Sequence, residues 1–461
     1  MKIDVLVAEI GSTTTVVNAF GNLEGENPKF IGQGQAPTTV DQGDVNLGLM
    51  DATYDLEEKL GIRELEYDEF LATSSAAGGL KMTVHGLVYD MTAKAAKEAA
   101  LGAGANIHMV TSGKLRRTDL KEIEKIKPNI ILLAGGVDYG ERDTALYNAE
   151  LLAKLNLDVP VIYAGNIQNC EEIKLIFEDY GKEDLLKIVE NVYPKIDQLN
   201  VEPVRRVIQD VFEEHIIHAP GMERVRDIVS GPIVPTPGAV MEGSKILKEV
   251  IGDLVTIDVG GATTDIHSVT DGSEEITRIL ISPEPIAKRT VEGDLGVYVN
   301  MKNIVEIIGE KNLAKELTLE EEELTEHLLN FPPIPKSEVE MKLVEILTEK
   351  AVIMSIHRHA GGYRHLFGET KKTLAEGKDL TSVKWIIGTG GALTKLPNRL
   401  EILKKVAMSN KGDKLLPTPE VKILIDNDYI MASLGVLSKY NKESAVKLLK
   451  KSLRIEEVET L

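Results

Sequence analysis

A single cysteine, Cys170, stands in 461 residues. One thiol cannot close an internal disulfide, complete a structural zinc site or hold an iron–sulfur cluster. A cytoplasmic protein without redox chemistry is expected. Aromatic residues are equally scarce, 4% against a hydrophobic fraction of 43%. The core must therefore be built from Val, Ile, Leu and Ala, the composition of covered parallel sheets, which favours an α/β fold. Cations are in deficit: 53 Lys and Arg face 73 Asp and Glu, a net charge of -20. So acidic a surface does not neutralise a phosphate backbone, and no nucleic-acid partner is expected. No apolar run reaches the roughly 18 residues of a membrane span. The opening Met1-Lys2-Ile3-Asp4-Val5 puts an acid where a signal peptide is apolar.

What the chain does have is alternation. Ile3 to Glu9 and Val16 to Phe20 read as two strands of a hairpin around Gly11 to Thr15. A further strand is expected over Glu66 to Thr73, and an Ala-rich helix over Thr92 to Leu101, stopped by Gly102. From Asn129 the pattern becomes strand, helix, strand, helix, which implies parallel pairing with crossover helices. The prolines of Ser230 to Gly238 predict an irregular, stiff loop before a helix over Ala239 to Val250. These patterns divide the chain into an N-terminal lobe, 1–252, and a C-terminal lobe, 253–461. The first holds an α/β insertion at about 108–200 and the second a charged helical insertion at about 310–336.

The most informative feature is a repeat. Val5 to Thr15 and Leu254 to Asp265 both read as an apolar strand, an acid, an apolar residue, glycine and then small hydroxyl residues. Glycine lets a backbone approach a phosphate and adopt positive φ, and successive N–H groups then form an anion-holding nest. Gly11, Ser12, Thr13 and Thr14, with Gly260, Gly261, Ala262, Thr263 and Thr264, are the expected phosphate contacts. The acids ending the two strands, Glu9 and Asp258, suit a Mg2+ ion held through water. Asp265 suits the metal or the orientation of an attacking water, so Glu9, Asp258 and Asp265 are the catalytic candidates. A third element, Trp385 to Leu393, is a strand running into a Gly-rich turn, with Gly388, Thr389, Gly390, Gly391 and Ala392 free of bulk beside a flat base. A fourth, Ile423 to Gly435, places Ala432, Ser433 and Gly435 on one side of a helix, where small residues permit close contact at a hinge.

This order of elements resembles the actin/hexokinase/Hsp70 ATPase superfamily. The resemblance implies two ribonuclease H-like lobes closing over Mg-ATP, with adenine nucleotide as the ligand. Two positions depart from it: Glu9 stands where an aspartate is usual, and Val16 where many members carry a cation. Both predict slow hydrolysis. Ala72 to Met82, Ala134-Gly135-Gly136-Val137-Asp138 and Arg358-His359-Ala360-Gly361-Gly362 narrow the resemblance to the glutamate mutase accessory proteins called GlmL or MutL. Glu9 belongs to that family's own pattern, and the name carries no implication of DNA mismatch repair. The family implies a role beside a coenzyme-B12-dependent mutase of amino acids.

Other features read as structural. Asp265-Ile266-His267 begins like a cobalamin-binding Asp-x-His-x-x-Gly motif, but Thr270 occupies the glycine position. His357, His359 and His365 straddle a glycine pair and lack the helical spacing of metal ligands. Ala134 to Asp138 reads as a tight strand-to-helix turn, and Ser74-Ser75 as a turn into a helix. Two other classes remain open at this point. One is a small-molecule kinase or hydantoinase-like amidohydrolase on the same fold, the other an actin-like filament protein.

Overall fold

The computed structural model describes residues 2–76, 80–216, 221–366 and 372–455. The chain divides into two compact units. One comprises Met1–Ala76, Pro220–Leu280 and Arg289–Leu461, the other Ala77–Ala219 and Ile281–Lys288.

The larger unit contains the same sheet twice. Its first sheet has the order Ile233–Pro235, Tyr67–Ser74, Ile3–Ile10, Thr14–Gly21, Lys29–Pro37. Ile3–Ile10 pairs antiparallel with Thr14–Gly21 and parallel with Tyr67–Ser74. The second sheet has the order Ala287–Glu292, Thr264–Val269, Leu254–Val259, Trp385–Thr389, Lys422–Ile425. Leu254–Val259 likewise pairs antiparallel with Thr264–Val269 and parallel with Trp385–Thr389. The central strands are apolar on both faces because both faces are covered. On the second sheet Leu343, Leu347, Ala351 and Ile356 of the helix Glu338–His359 pack against Val255, Ile257 and Ile386. The helices Thr236–Ile251 and Met431–Leu437 approach closely at glycine, since a Cβ on Gly435 would lie 1.9 Å from the Ala239 carbonyl oxygen.

The smaller unit is a five-stranded parallel sheet ordered Asn106–Ser112, Lys81–Gly86, Ile130–Leu133, Val161–Tyr163, Leu186–Ile188. Numbered along the chain this is 2-1-3-4-5, a doubly wound order whose loops at the carboxyl ends of the strands share one edge. The late segment Ile281–Lys288 joins it through buried ion pairs. Glu284 accepts from Lys94 at 2.6 Å and from Lys288 at 2.6 Å, and Lys288 reaches Glu98 at 3.2 Å. The two lysines hold the Glu284 carboxyl below its ordinary range against the opposing effect of burial. Arg205 donates to the Ala287 carbonyl at 2.7 Å through space that a Cβ on Gly102 would fill.

Two local expectations need correction. The proline segment is not irregular: Ile233–Pro235 is an edge strand, and a helix begins at Thr236. Proline is tolerated at both places because a sheet edge and a first helical turn leave its missing N–H without consequence. The segment after Ser74-Ser75 leads to the strand Lys81–Gly86 rather than a helix; Gly78 and Gly79 lie outside the described residues.

The charged stretch beyond Glu310 forms two helices, Glu310–Leu317 and Glu321–Leu329. Leu313, Leu317 and Leu324 anchor them in the core of the second sheet. Among the described residues, no helix is long and apolar enough to cross a membrane.

Candidate functional site

The two sequence-related turns fold alike. In each, the first glycine donates its N–H to the carbonyl three residues on: Gly11 to Thr14 at 3.0 Å and Gly260 to Thr263 at 2.9 Å. The registers match as well, with Glu9 opposite Val16 and Asp258 opposite Asp265. The turns also meet. A Cβ built on Gly261 would lie 2.6 Å from Thr13 Oγ1, so a side chain there would force Thr13 to shift.

Each turn is braced from behind. Thr38 donates its hydroxyl to the Gly11 carbonyl at 2.8 Å and its N–H to the Thr13 carbonyl at 2.9 Å. Val297 donates to the Gly260 carbonyl at 3.2 Å. Tyr298 and Val299 donate to the Gly261 carbonyl, at 2.9 and 2.8 Å. Asn300 binds the Ala262 carbonyl at 2.8 Å. The carbonyl oxygens, which would repel an anion, are thus held by other partners. Ser12 is exposed at the first turn and donates to the Ser75 carbonyl at 3.2 Å.

Behind the turns lie three acids. Glu9 is buried and its Oε1 accepts from the Ser433 N–H at 3.0 Å, from the Ser433 hydroxyl at 2.5 Å and from Asn18 at 3.4 Å. Burial pushes its carboxyl up to about 7, against the lowering effect of the Ser433 bonds. Asp258 is pushed further, to about 8, by burial and by the neighbouring Asp265 and Glu9. Asp426 is fully buried, and burial raises its carboxyl too. It accepts from Thr389, Ile430, Met431 and Ser452. The same three acids, with burial, raise the phenol of Tyr429 well above its ordinary range.

The fourth acid differs. Asp265 Oδ1 accepts from Arg289 at 2.6 and 2.8 Å, and its Oδ2 accepts from Thr263 at 3.0 Å. Arg289 is itself fully buried, and its charge opposes the upward shift of Asp258.

The structure brings most of the expected residues together and sets some aside. The Thr264 hydroxyl is buried and donates to the Leu295 carbonyl at 2.6 Å, so that side chain serves the sheet. Gly388 lies inside the sheet, where a Cβ would meet Leu403 at 2.7 Å, and it offers no open backbone to a base. Thr389 is committed to Asp426. Gly390, at φ +83, lies against Asp258, whose Oδ1 would be 2.4 Å from a Cβ there. Gly391 faces open space and Ala392 is buried behind it. The small residues of the fourth element do not share one face, since Ser433 holds Glu9 while Gly435 packs on Ala239.

His267 is wholly buried with neither ring nitrogen hydrogen-bonded, and burial depresses it to about 3. His357 bonds Ser409, and His359 bonds Thr290 and Ser268; the His365 side chain lies outside the described residues.

Against this background, the chain matches the family profile described as MutL protein over residues 5–453. It belongs to the MutL family. This MutL-family chain is 36% identical to Protein MutL of Clostridium tetanomorphum, an alignment covering 97% of the chain and 98% of that relative. Among solved structures it is similar to a diol dehydratase-reactivating factor in nucleotide-free form. Identity there is 10%, coverage 96% and 100% of the two chains, and the TM-score 0.38. It is also similar to (R)-2-hydroxyglutaryl-CoA dehydratase component A of Acidaminococcus fermentans, with 9% identity, coverage of 98% and 99%, and a TM-score of 0.31.

Three residues of the MutL-family site were not assigned a role from sequence, and a fourth, Ser433, was read only as a small residue at a helix contact. Asn18 and Ser433 hold Glu9, Asp426 organises the end of the second sheet, and Arg289 neutralises Asp265. The repeat itself could have pointed to the first. Asn18 sits on its strand where His267 sits on the other, opposite Val7 and Thr256 respectively.

Proposed function

We propose that this MutL-family protein binds Mg-ATP between its two hairpin turns and uses it to assist a coenzyme-B12-dependent amino-acid mutase. The observation that carries the nucleotide reading is the meeting of Thr13 with Gly261, each turn keeping its carbonyls tied back and an acid behind it. A nest of this kind suits an anion, and its glycines occupy space that a Cβ would fill.

The donor set also suits Mg2+. Asp258 is forced toward its neutral form by burial and then by crowding with Asp265 and Glu9, and a divalent cation would relieve that repulsion. Among the described residues no three His, Cys, Asp or Glu side chains converge as a protein-held metal site. Magnesium prefers oxygen ligands and commonly keeps several waters beside substrate phosphates. Asp258 would hold it through water, with Glu9 farther back. Bound Mg2+ would supply charge neutralisation of the phosphate oxygens.

The chain's own residues then have distinct tasks. Gly11 to Thr14 and Gly260 to Thr263 bind phosphate oxygens. Arg289 holds Asp265 rigid beside the second turn, in position to orient a water. Glu9 ties the first hairpin to the helix Met431–Leu437 through Ser433, which links the phosphate end of the site to the helix packed on Ala239. Gly391, the open glycine of the third element, is the proposed edge of the adenosine site.

The mutase role rests on family membership. Adenosylcobalamin enzymes that lose the adenosyl group retain damaged cobalamin, and only an input of free energy opens them for exchange. The decisive assay starts from purified glutamate mutase inactivated on its own cobalamin. Activity should return on adding this protein, Mg-ATP and free adenosylcobalamin together, and not when any one is omitted. Recovery without the protein, or none with it, would overturn the mutase role.

A further inference from the structure

The smaller unit carries no part of the site described above, yet one of its edges is built in an unusual way. At the carboxyl ends of its parallel strands the loops are locked to each other. Gly113 donates to the Gly86 carbonyl at 2.9 Å, Tyr139 to Asn166 Oδ1 at 3.1 Å, and Ile167 to Asp138 Oδ1 at 3.0 Å. Asp138 donates its N–H to the Pro194 carbonyl at 2.9 Å, and Asn191 reaches both Gly136 and Asp138. Rigid loops with satisfied backbones normally turn polar side chains outward. These expose large apolar ones as well, among polar neighbours such as Glu141 and Gln168. Tyr139 is 76% exposed and Ile196 70%, and Val88, Tyr89 and Ile167 are exposed on the loops beside them. Val88 and Tyr89 follow one strand, and Tyr139, Ile167 and Ile196 follow the next three, so they line one edge in the order of the sheet. Neighbouring strands lie about 4.8 Å apart, so the five strands put these loops within roughly 20 Å.

The same edge ends in charge. Beyond the strand Asn106–Ser112 lies an open groove of about 920 Å³ lined by Lys114, Arg116, Arg117 and Tyr147, among others. Lys114 Nζ stands 5.1 Å from the centre of the Tyr147 ring. Asp119, the acid among the lining residues, is turned onto the Arg116 N–H at 2.7 Å. Three cations gather here in a chain of net charge -20. The far end of the edge carries Lys195 and Asp197, both exposed, and shows no such excess.

Exposed apolar surface rimmed by charge marks an interaction site, and tyrosine and arginine are the residues that dominate binding energy at protein interfaces. We propose that this edge is the docking face for the partner enzyme, a protein presenting an apolar patch flanked on one side by carboxylates. Its locked loops lose little freedom on binding, which favours affinity. The assignment rests on the mutase reading given above, since that reading supplies the partner.

The test measures binding of purified glutamate mutase to the full-length protein, with and without Mg-ATP. The double substitution Tyr139→Asn and Ile196→Asn should weaken binding at least ~30-fold. Asparagine is chosen because Tyr139 has φ +63, which it tolerates. Arg116→Glu with Arg117→Glu should slow association ~10-fold at low salt, and less as salt rises. Leu329→Asn removes an equally exposed leucine of the other unit and should change nothing. ATP affinity and thermal stability should be unaltered in all three.

If the wild-type protein binds mutase and the Tyr139/Ile196 variant binds it equally, the docking face is wrong while the function stands. If the wild type holds no mutase in any nucleotide state, both readings fall. Self-association of the wild type that the Tyr139/Ile196 substitutions abolish, with mutase binding intact, would make the edge an interface between copies and overturn the proposal.

Discussion

The two halves of the larger unit share a backbone and differ in their wiring. Both carry a hairpin in the same register, with an acid one residue before the turn's leading apolar residue. In the first half the acid is Glu9, clamped by Ser433 and Asn18, and the opposite position is the apolar Val16. In the second half the acid is Asp258, half-buried beside Gly390, and the opposite position is Asp265 in a buried pair with Arg289. The duplicated strands keep the frame, while the polar partners have diverged into an anchor on one side and a charged centre on the other. Backbone geometry survives divergence because every ladder bond is shared, whereas one side-chain substitution rewires electrostatics.

The comparison can be broken most forcefully on the charged side. Arg289→Ala leaves Asp265 buried without its cation and should destabilise the protein by about 3–5 kcal/mol, read by urea unfolding. The matching change in the first half, Val16→Ala, should have a much smaller effect because no charge is stranded. Equal losses would mean that the two halves are wired alike.

Next in size is Asp258→Ala. It should lower Mg-dependent ATP turnover at least ~100-fold, in line with the loss of one key electrostatic group, while unfolding stays cooperative. Turnover equal to wild type would remove Asp258 from the site. Ser433→Ala should be milder. It takes the hydroxyl bond from a buried carboxylate and leaves the backbone N–H bond in place, which costs about 1–3 kcal/mol, and it pushes Glu9 still higher.

The two buried acids also couple stability to pH. Glu9 and Asp258 sit at about 7 and about 8, above their unfolded values of 4.5 and 3.8. Between those limits the folded state binds more protons than the unfolded one, so stability without nucleotide should be greatest below about pH 4 as far as these two groups are concerned. Their contribution should be lost as pH rises to about 8. Asp258→Asn should flatten the upper part of that slope in thermal melts from pH 5 to 9. Mg-ATP should act in the opposite sense, since binding needs Asp258 ionised, so nucleotide affinity should rise over the same range and protons should be released on binding.

Much of this was legible in the sequence, and what was legible was local. The hairpins announce themselves within eleven residues, because glycine, hydroxyls and an apolar strand are read from neighbours. The alternating pattern from Asn129 gave the parallel sheet for the same reason. What stayed hidden is long-range pairing. Ser433 reaches Glu9 from the opposite end of the chain, and no spacing rule connects them. Arg289 lies outside any motif and becomes visible only when its strand joins the sheet beside Thr264–Val269. Gly388 was misjudged because a glycine inside a strand and a glycine in a loop look the same in one dimension. The Leu403 side chain over it settles which it is. The proline segment misled in the opposite way, since proline excludes a central strand but not an edge.

The central claim is that the two turns together form one phosphate site, and calorimetric titration of Mg-ATP into wild type and Gly261→Val tests it most directly. The wild type should give a single saturable transition near one nucleotide per chain, and the variant, whose side chain would collide with Thr13, should give none at the same concentrations. No heat with the wild type, or the same heat with both, would contradict it.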